Sequence, residues 1–229
     1  MLSTPALPVS LTRYPLVEVA VHAGGRHWNL TAVSDQDALI RQVRTEADLA
    51  AFPFGLMLWP SALALADALP ALLSPSRACH VLEIGAGLGL AGFAAASLGA
   101  RVTQTDNHED ALALCRYNAA RNGVLTETRT GDWRNWPSDL PAFDLVIGSD
   151  VLYERTLHQT LADLLPRLVA RGGKVVLSDP LRPQALEWIE QQERAGFWQV
   201  RMTGARVTPP GEAANAAKDA ALFTLQRTK

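Results

Sequence analysis

The chain has 229 residues, 48% hydrophobic and 19% charged, enough for one sizeable globular core with a short extension. Its 21 basic and 23 acidic side chains give a net charge of −2, without the basic excess of a nucleic-acid binder. The start, MLSTPALPVS, shows no basic head before a long apolar segment, and no apolar run is long enough to span a bilayer, so a cytoplasmic setting with no membrane partner is expected.

Residues 1–13 read as a loose tail. Residues 14–33 alternate apolar positions (Leu16, Val17, Val19, Val21, then Trp28, Leu30, Ala32) around Gly24-Gly25 and predict a β-hairpin. The more polar 35–50 segment is a helix or an irregular connection. The loop FPFGLMLWP follows, then a short apolar helix over SALALADALPALL. Pro60 suits its first turn, where the missing N–H costs nothing, and Pro70 is expected to end or kink it. Cys79 and Cys115 sit in core-like positions and are expected to be reduced structural thiols.

From residue 79 strands and helices alternate. Strands are expected at His80–Ile84, Arg101–Thr105, Val124–Thr130, Phe143–Ser149 (continuous and apolar, hence central) and Lys174–Ser178. Helices are expected at Leu88–Leu98, closed by Gly99, and at Glu109–Arg121, stopped by Asn122-Gly123. Two more are expected at Thr156–Val169, ended near Gly172-Gly173, and at Pro183–Arg194. Phe197–Met202 and Ala221–Arg227 close the chain without a clear helix between them, which predicts an antiparallel pair. The 203–220 stretch between them, with Pro209, Pro210 and Gly211, reads as a long connection of the kind that is functional or disordered. The expected fold is α/β: a Rossmann-like, doubly wound, seven-stranded sheet with an antiparallel C-terminal pair. Residues 1–50 form its tail and hairpin extension, and 51–229 its main domain.

The chemistry centres on VLEIGAGLGLAG, residues 81–92. A buried strand ends in Glu83 and Ile84 and breaks at Gly85, Gly87 and Gly89. Glycines at a strand-to-helix turn admit positive φ and let a ligand approach the backbone, and the helix start favours an anionic group. The pattern is GxGxG; Leu90 stands where a dinucleotide fingerprint has its third glycine. Glu83 is placed to meet the ammonium of S-adenosylmethionine, directly or through water. Asp106, at the end of the second strand, is placed to accept from ribose hydroxyls, and also to cap the next helix. Asp132 suits an adenine amino group, and Trp133 offers its ring an apolar face or serves as plain core. An NAD-linked dehydrogenase is the competing reading, although none of Tyr14, Tyr117 and Tyr153 is followed four residues later by lysine.

Residues 79–179 resemble a class I, seven-strand S-adenosylmethionine-dependent methyltransferase. LMLWPSALALADAL (56–69) and Asp150-Val151-Leu152-Tyr153, a D-x-x-Y/F pattern, resemble in particular the family-16 methyltransferases, most of whose known members modify lysine in specific proteins. LSDPLRPQ (177–184) is similar to a segment of the methyltransferases of the electron-transfer flavoprotein β subunit. The resemblance implies that Trp59 reaches the methyl donor. Ala86, Asn107 and Ser149 complete the expected donor set of Trp59, Glu83, Gly85, Gly87, Gly89, Asp106, Asp132 and Trp133.

Asp150 and Tyr153 follow the central strand at its carboxyl end, where open α/β sheets bind reactive ligands. An acceptor lysine must be neutral to attack a methyl group. A carboxylate beside it favours the charged form, so Asp150 is assigned to binding and alignment. Tyr153 is assigned to closing the acceptor channel or bonding the amine. No N-P-P-Y motif suited to nucleic-acid bases occurs, and His22, His27, His80, His108 and His158 lack metal spacing, so neither nucleic acid nor metal is expected. The expected function is transfer of a methyl group from S-adenosylmethionine to a protein lysine. Methylation of arginine, histidine or a small nitrogenous molecule is the alternative, followed by a non-catalytic cofactor-binding module.

Overall fold

The computed structural model describes residues 5–34, 41, 43–45, 52–73 and 79–228. Most of the 35–50 segment therefore lies outside the described residues. The hairpin is β1 (Leu16–Ala23) and β2 (Arg26–Val33). Gly24 and Gly25 both take positive φ, as the tight two-residue turn requires. Helix α1 (Pro60–Leu72) precedes the alternating region. There follow β3 (His80–Ile84), α2 (Leu90–Ser97), β4 (Arg101–Asp106), α3 (Glu109–Arg121), β5 (Glu127–Thr130) and β6 (Phe143–Ser149). The chain closes with α4 (His158–Leu168), β7 (Val169–Asp179), α5 (Pro183–Arg194), β8 (Trp198–Val207) and β9 (Lys218–Arg227).

The main sheet has the order β5-β4-β3-β6-β7-β9-β8. The first five are mutually parallel, while β9 runs antiparallel to both β7 and β8, as the missing helix between the last two strands predicts. Successive strand residues alternate between two cores. Val81, Val102, Leu145, Ile147 and Val176 pack with α1, α2, α3 and the hairpin. Leu82, Ile84, Val146, Val175 and Leu177 pack with α4 and α5 on the opposite face. Burial on both faces explains why β3 and β6 read as continuous apolar runs.

The hairpin is tied to the domain by apolar and polar contacts. Trp28 and Leu30 are fully buried in the first core. Asn118 on α3 and Asn122, just past its end, meet the edge of β2. Asn118 accepts from the Thr31 amide at 2.8 Å and donates to its carbonyl at 3.1 Å; Asn122 does the same for Asn29, both at 2.9 Å. These two carboxamides satisfy an edge that otherwise presents bare backbone groups.

Four expectations are corrected. The segment before the hairpin is docked rather than loose: Leu11 is wholly buried, and Arg13 and Tyr14 both bond Asp110 at the start of α3. A single 3₁₀ turn, Val9–Leu11, has no periodicity to betray it. Helix α1 runs past Pro70 to Leu72, the proline removing its own bond to the Ala66 carbonyl without ending the helix there. The Ala66 carbonyl that Pro70 leaves without that bond lies 3.0 Å from where a Cβ on Gly24 would be, so only glycine lets the hairpin turn sit there. Residues 169–173, read as a helix end, begin β7, with a register shift opposite Phe143 and Leu145. The 203–220 stretch is strand at both ends: β8 and β9 pair from Trp198↔Arg227 to Val207↔Lys218, shortening the connection to 208–217. Gly204, Ala205, Ala220 and Ala221 carry little strand propensity of their own, so backbone pairing here is invisible to a propensity argument.

Candidate active site

The chain leaves β3 toward β4 and leaves β6 toward β7, on the other side of the sheet. The carboxyl ends of β3 and β6 therefore flank the switch point where α/β sheets hold ligands. This topology sets the glycine turn beside the Asp150–Tyr153 segment. A Cβ on Gly85 would lie 3.0 Å from Val151 and 3.5 Å from the Trp133 ring, so Trp133 stands against the turn. Gly85, Gly87 and Gly89 have φ of 60°, 51° and 92°.

The turn is held from beneath by buried polar groups. The Ala86 amide donates to the Thr105 carbonyl at 2.9 Å, and the Gly87 amide to Asp106 Oδ2 at 3.0 Å. Asp106 Oδ1 accepts from the His108 amide at 3.0 Å, an i to i+2 turn that leads into α3 without capping it, since the N-cap position is His108. Gln104 Nε2 donates to the Gly89 carbonyl at 3.0 Å and to Glu83 Oε2 at 2.6 Å. Glu83 Oε2 also accepts from the Gly92 amide at 3.0 Å. Glu83 is only 2% exposed, and burial pushes its carboxyl up to about 7. Oε2 is thereby turned to the first turn of α2 and to Gln104, both bonds falling on that one oxygen. Gln104 and Gly92 escaped the sequence reading. Gln104 lies in register with Glu83 on the neighbouring strand, a pairing that appears once β3 and β4 are set side by side.

Asp132 is exposed; its Oδ1 accepts from the Arg134 amide at 2.9 Å and steadies the loop that carries Trp133. Asn107 is exposed at the lip of β4, and Ser149 is half-buried at the end of β6, paired with Ser178.

The Phe52–Trp59 segment covers the turn. At Gly55 a Cβ would come within 2.7 Å of Ala111, 3.2 Å of the Gly87 Cα and 3.4 Å of Asp106 Oδ2. The Phe54 ring lies 5.5 Å from Tyr153 and 6.3 Å from Trp59. Trp59 Nε1 donates to the Phe54 carbonyl at 3.0 Å, so Trp59 props this cover from within. Phe54 and Gly55 belong to the FPFGLMLWP loop, and the approach of Gly55 to Gly87 and Asp106 had no signal in the sequence.

Asp150 is 7% exposed and adopts a left-handed backbone (φ 57°), uncommon for any residue but glycine and most tolerated by Asn and Asp. Its amide donates to the Ser178 carbonyl at 2.8 Å. Arg182 Nη1 lies 2.8 Å from Asp150 Oδ1, and the Ser61 hydroxyl lies close by. Oδ1 is thus ion-paired to Arg182, and Oδ2 receives no aligned hydrogen bond from the described residues. Burial raises the Asp150 carboxyl and the Arg182 charge opposes that rise. Tyr153, three residues on, is 41% exposed, and burial and Glu154 push its hydroxyl up. Among the described residues no group of side chains could hold a metal ion.

Comparison with known proteins agrees with this geometry. Residues 40–194 match the sequence profile of the lysine methyltransferase family. The chain is 33% identical over 162 residues to a protein-lysine N-methyltransferase of Schizosaccharomyces pombe, rrg1, covering 62% of this chain and 53% of that one. It is 31% identical over 153 residues to the histone-arginine methyltransferase METTL23 of Xenopus laevis, covering 64% and 61%. The chain thus spans between half and two thirds of the length of these curated relatives. Among solved structures, a precorrin-6y C5,15-methyltransferase from Geobacter metallireducens superposes with a TM-score of 0.57 at 16% identity, over 73% of this chain and 87% of that one, a likeness of fold.

Proposed function

The chain belongs to the lysine methyltransferase family, and from that premise we propose that it transfers a methyl group from S-adenosylmethionine to the side-chain nitrogen of a lysine in a protein. The residues fit the family's methyl donor. The glycine turn is free of Cβ atoms where Val151 and Trp133 close in, Asp106 faces it with a carboxylate, and Trp133 supplies an apolar surface. Glycine turn, Asp106 and Trp133 would hold the donor, whose sulfonium supplies an activated methyl group when bound. Asp132 acts on that site through the loop it steadies.

The observation that carries the acceptor reading is Asp150. It is a buried carboxylate, ion-paired to Arg182 through Oδ1 and fixed in a strained backbone next to Val151, which packs on the glycine turn; Tyr153, three residues on, meets the Phe54 ring. Such strain persists only where the surroundings over-determine it, and it clusters at functional sites. A carboxylate so placed accepts an N–H from a neutral amine and points the nitrogen lone pair away from itself. Tyr153 and Phe54 form an apolar collar that suits a lysine stem and limits water. Alignment of nucleophile and activated methyl then supplies much of the acceleration.

A second reading, methylation of arginine, draws support from the arginine-modifying relative and from the Asp150–Arg182 contact, in which this carboxylate already meets a guanidinium. Incubating the protein with methyl-labelled donor and soluble lysate proteins, then hydrolysing and separating the amino acids, tests both. Label on methyllysine supports the proposal, label on methylarginine supports the second reading, and label only on small molecules refutes both. We place this activity in the cytoplasm, the setting expected from the sequence.

A further inference from the structure

The loop from β7 into α5 is wound tightly around Arg182. Leu181 takes a left-handed backbone (φ 66°), as Asp150 does across the gap. Arg182 then doubles back on fully buried Asp179. Its amide donates to Oδ1 at 2.7 Å and its Nη1 to Oδ2 at 2.8 Å. The same Nη1 lies 2.8 Å from Asp150 Oδ1. Pro183, at the first position of α5, fixes the following turn. Asp179 thus anchors the guanidinium independently of Asp150, and the strained Leu181 is consistent with a loop built to aim it.

This arrangement bears on a difficulty in the proposed reaction. A lone buried carboxylate beside an incoming lysine stabilises the ammonium, and the ammonium has no lone pair with which to attack. Two buried carboxylates, Asp150 and Asp179, would be worse. We propose that Arg182 is a positioning residue that keeps the acceptor lysine neutral: its fixed positive charge offsets the two carboxylates, leaving Asp150 as an acceptor of amine N–H groups instead of an anchor for ammonium. This rests on the lysine reading above. The ammonium loses one proton to solvent. The freed lone pair forms the N–C bond while the methyl group parts from sulfur, the bonding electrons remaining on sulfur, so no oxidant or reductant enters.

The charged and polar groups that face Asp150 are Arg182 and Asp179 from the β7–α5 loop and Ser61 from α1; Glu154, Arg134 and Asp106 act nearby at Tyr153. Of these, Arg182 is the cation in direct contact with the carboxylate. Removing it should raise the pH at which the acceptor amine becomes neutral.

The test compares wild type with Arg182→Gln, Arg182→Met and Arg182→Lys in the full chain, after calorimetry shows which variants bind S-adenosylmethionine as wild type does. The Met variant keeps the apolar stem if Gln proves poorly folded. Single-turnover methylation of soluble lysate proteins is followed against pH, counting only label recovered as methyllysine. In the neutral variants the pH of half-maximal rate should move upward by about one unit or more, the usual effect of a charge at contact distance. Arg182→Lys should stay near wild type. A neutral variant with an unmoved profile, or a lysine variant moved as far as the neutral ones, overturns the proposal. Wild type that yields no methyllysine at any pH refutes the lysine reading itself and takes this inference with it.

Discussion

Glu83 offers a quantitative check on the network beneath the glycine turn. Its carboxyl is pushed from an ordinary 4.5 up to about 7 by burial, against the opposing bonds from Gln104 and the Gly92 amide. The folded chain therefore holds the proton to higher pH than the unfolded chain. Between about pH 4.5 and pH 7 the unfolded state releases it first, and this group's contribution to stability falls as pH rises, then levels off. Glu83→Gln removes the ionisation and keeps a carbonyl oxygen for both donors. Relative to wild type, the variant should gain about 3 kcal/mol between pH 4.5 and pH 8, from roughly 1.4 kcal/mol per unit of displaced pKa. A constant offset from changed hydrogen bonding does not affect that slope. Urea unfolding of both proteins across this range supplies the difference. A difference independent of pH would show that Glu83 is not held protonated near neutrality, and the buried network described here would be wrong.

Three further outcomes follow. Gly92→Ala puts a Cβ 2.3 Å from Gln104 Nε2 and 2.5 Å from Glu83 Oε2, so thermal unfolding should show a loss of about 1–3 kcal/mol, typical of overpacking. Asp106→Ala should weaken S-adenosylmethionine binding about tenfold or more by calorimetry, at about 1–3 kcal/mol per unsatisfied buried partner; its lost bonds to the Gly87 and His108 amides should lower the melting temperature as well. Trp59→Phe keeps the ring and loses the bond to the Phe54 carbonyl, worth about 1 kcal/mol. Donor affinity should fall, with urea stability lower by about that amount; unchanged affinity would detach the Phe54–Gly55 cover from donor binding.

The sequence displayed the parts of this molecule whose cause is local. Strands β3 and β6 are apolar because both faces are covered, α3 stops at Asn122-Gly123, and the glycine turn lies between them. Asp106, Trp133, Asp150 and Tyr153 stand at strand ends, where topology alone brings them to one crevice. What escaped has causes distant in the chain. Gln104 reads as a polar misfit until β4 is paired with β3 and Glu83 appears opposite it. Gly55 looks like a flexible loop residue until Ala111 and Gly87 are seen against it. Asn118 and Asn122 show nothing unusual until the hairpin edge is laid on them. Arg182 sits in a segment singled out by resemblance, but its meaning depends on two aspartates that only the fold sets side by side.

The central claim is that the crevice between β3 and β6 moves a methyl group to a lysine nitrogen, with Asp150 serving the acceptor. The most direct measurement is label transfer from S-adenosylmethionine to protein lysine by wild type and by Asp150→Asn, which keeps shape and tolerates the left-handed backbone, alongside donor affinity for each. Methyllysine from wild type, with turnover lost in the variant and donor affinity largely kept, is the predicted result. Full turnover by Asp150→Asn, or donor binding without transfer to any lysine by wild type, would contradict it.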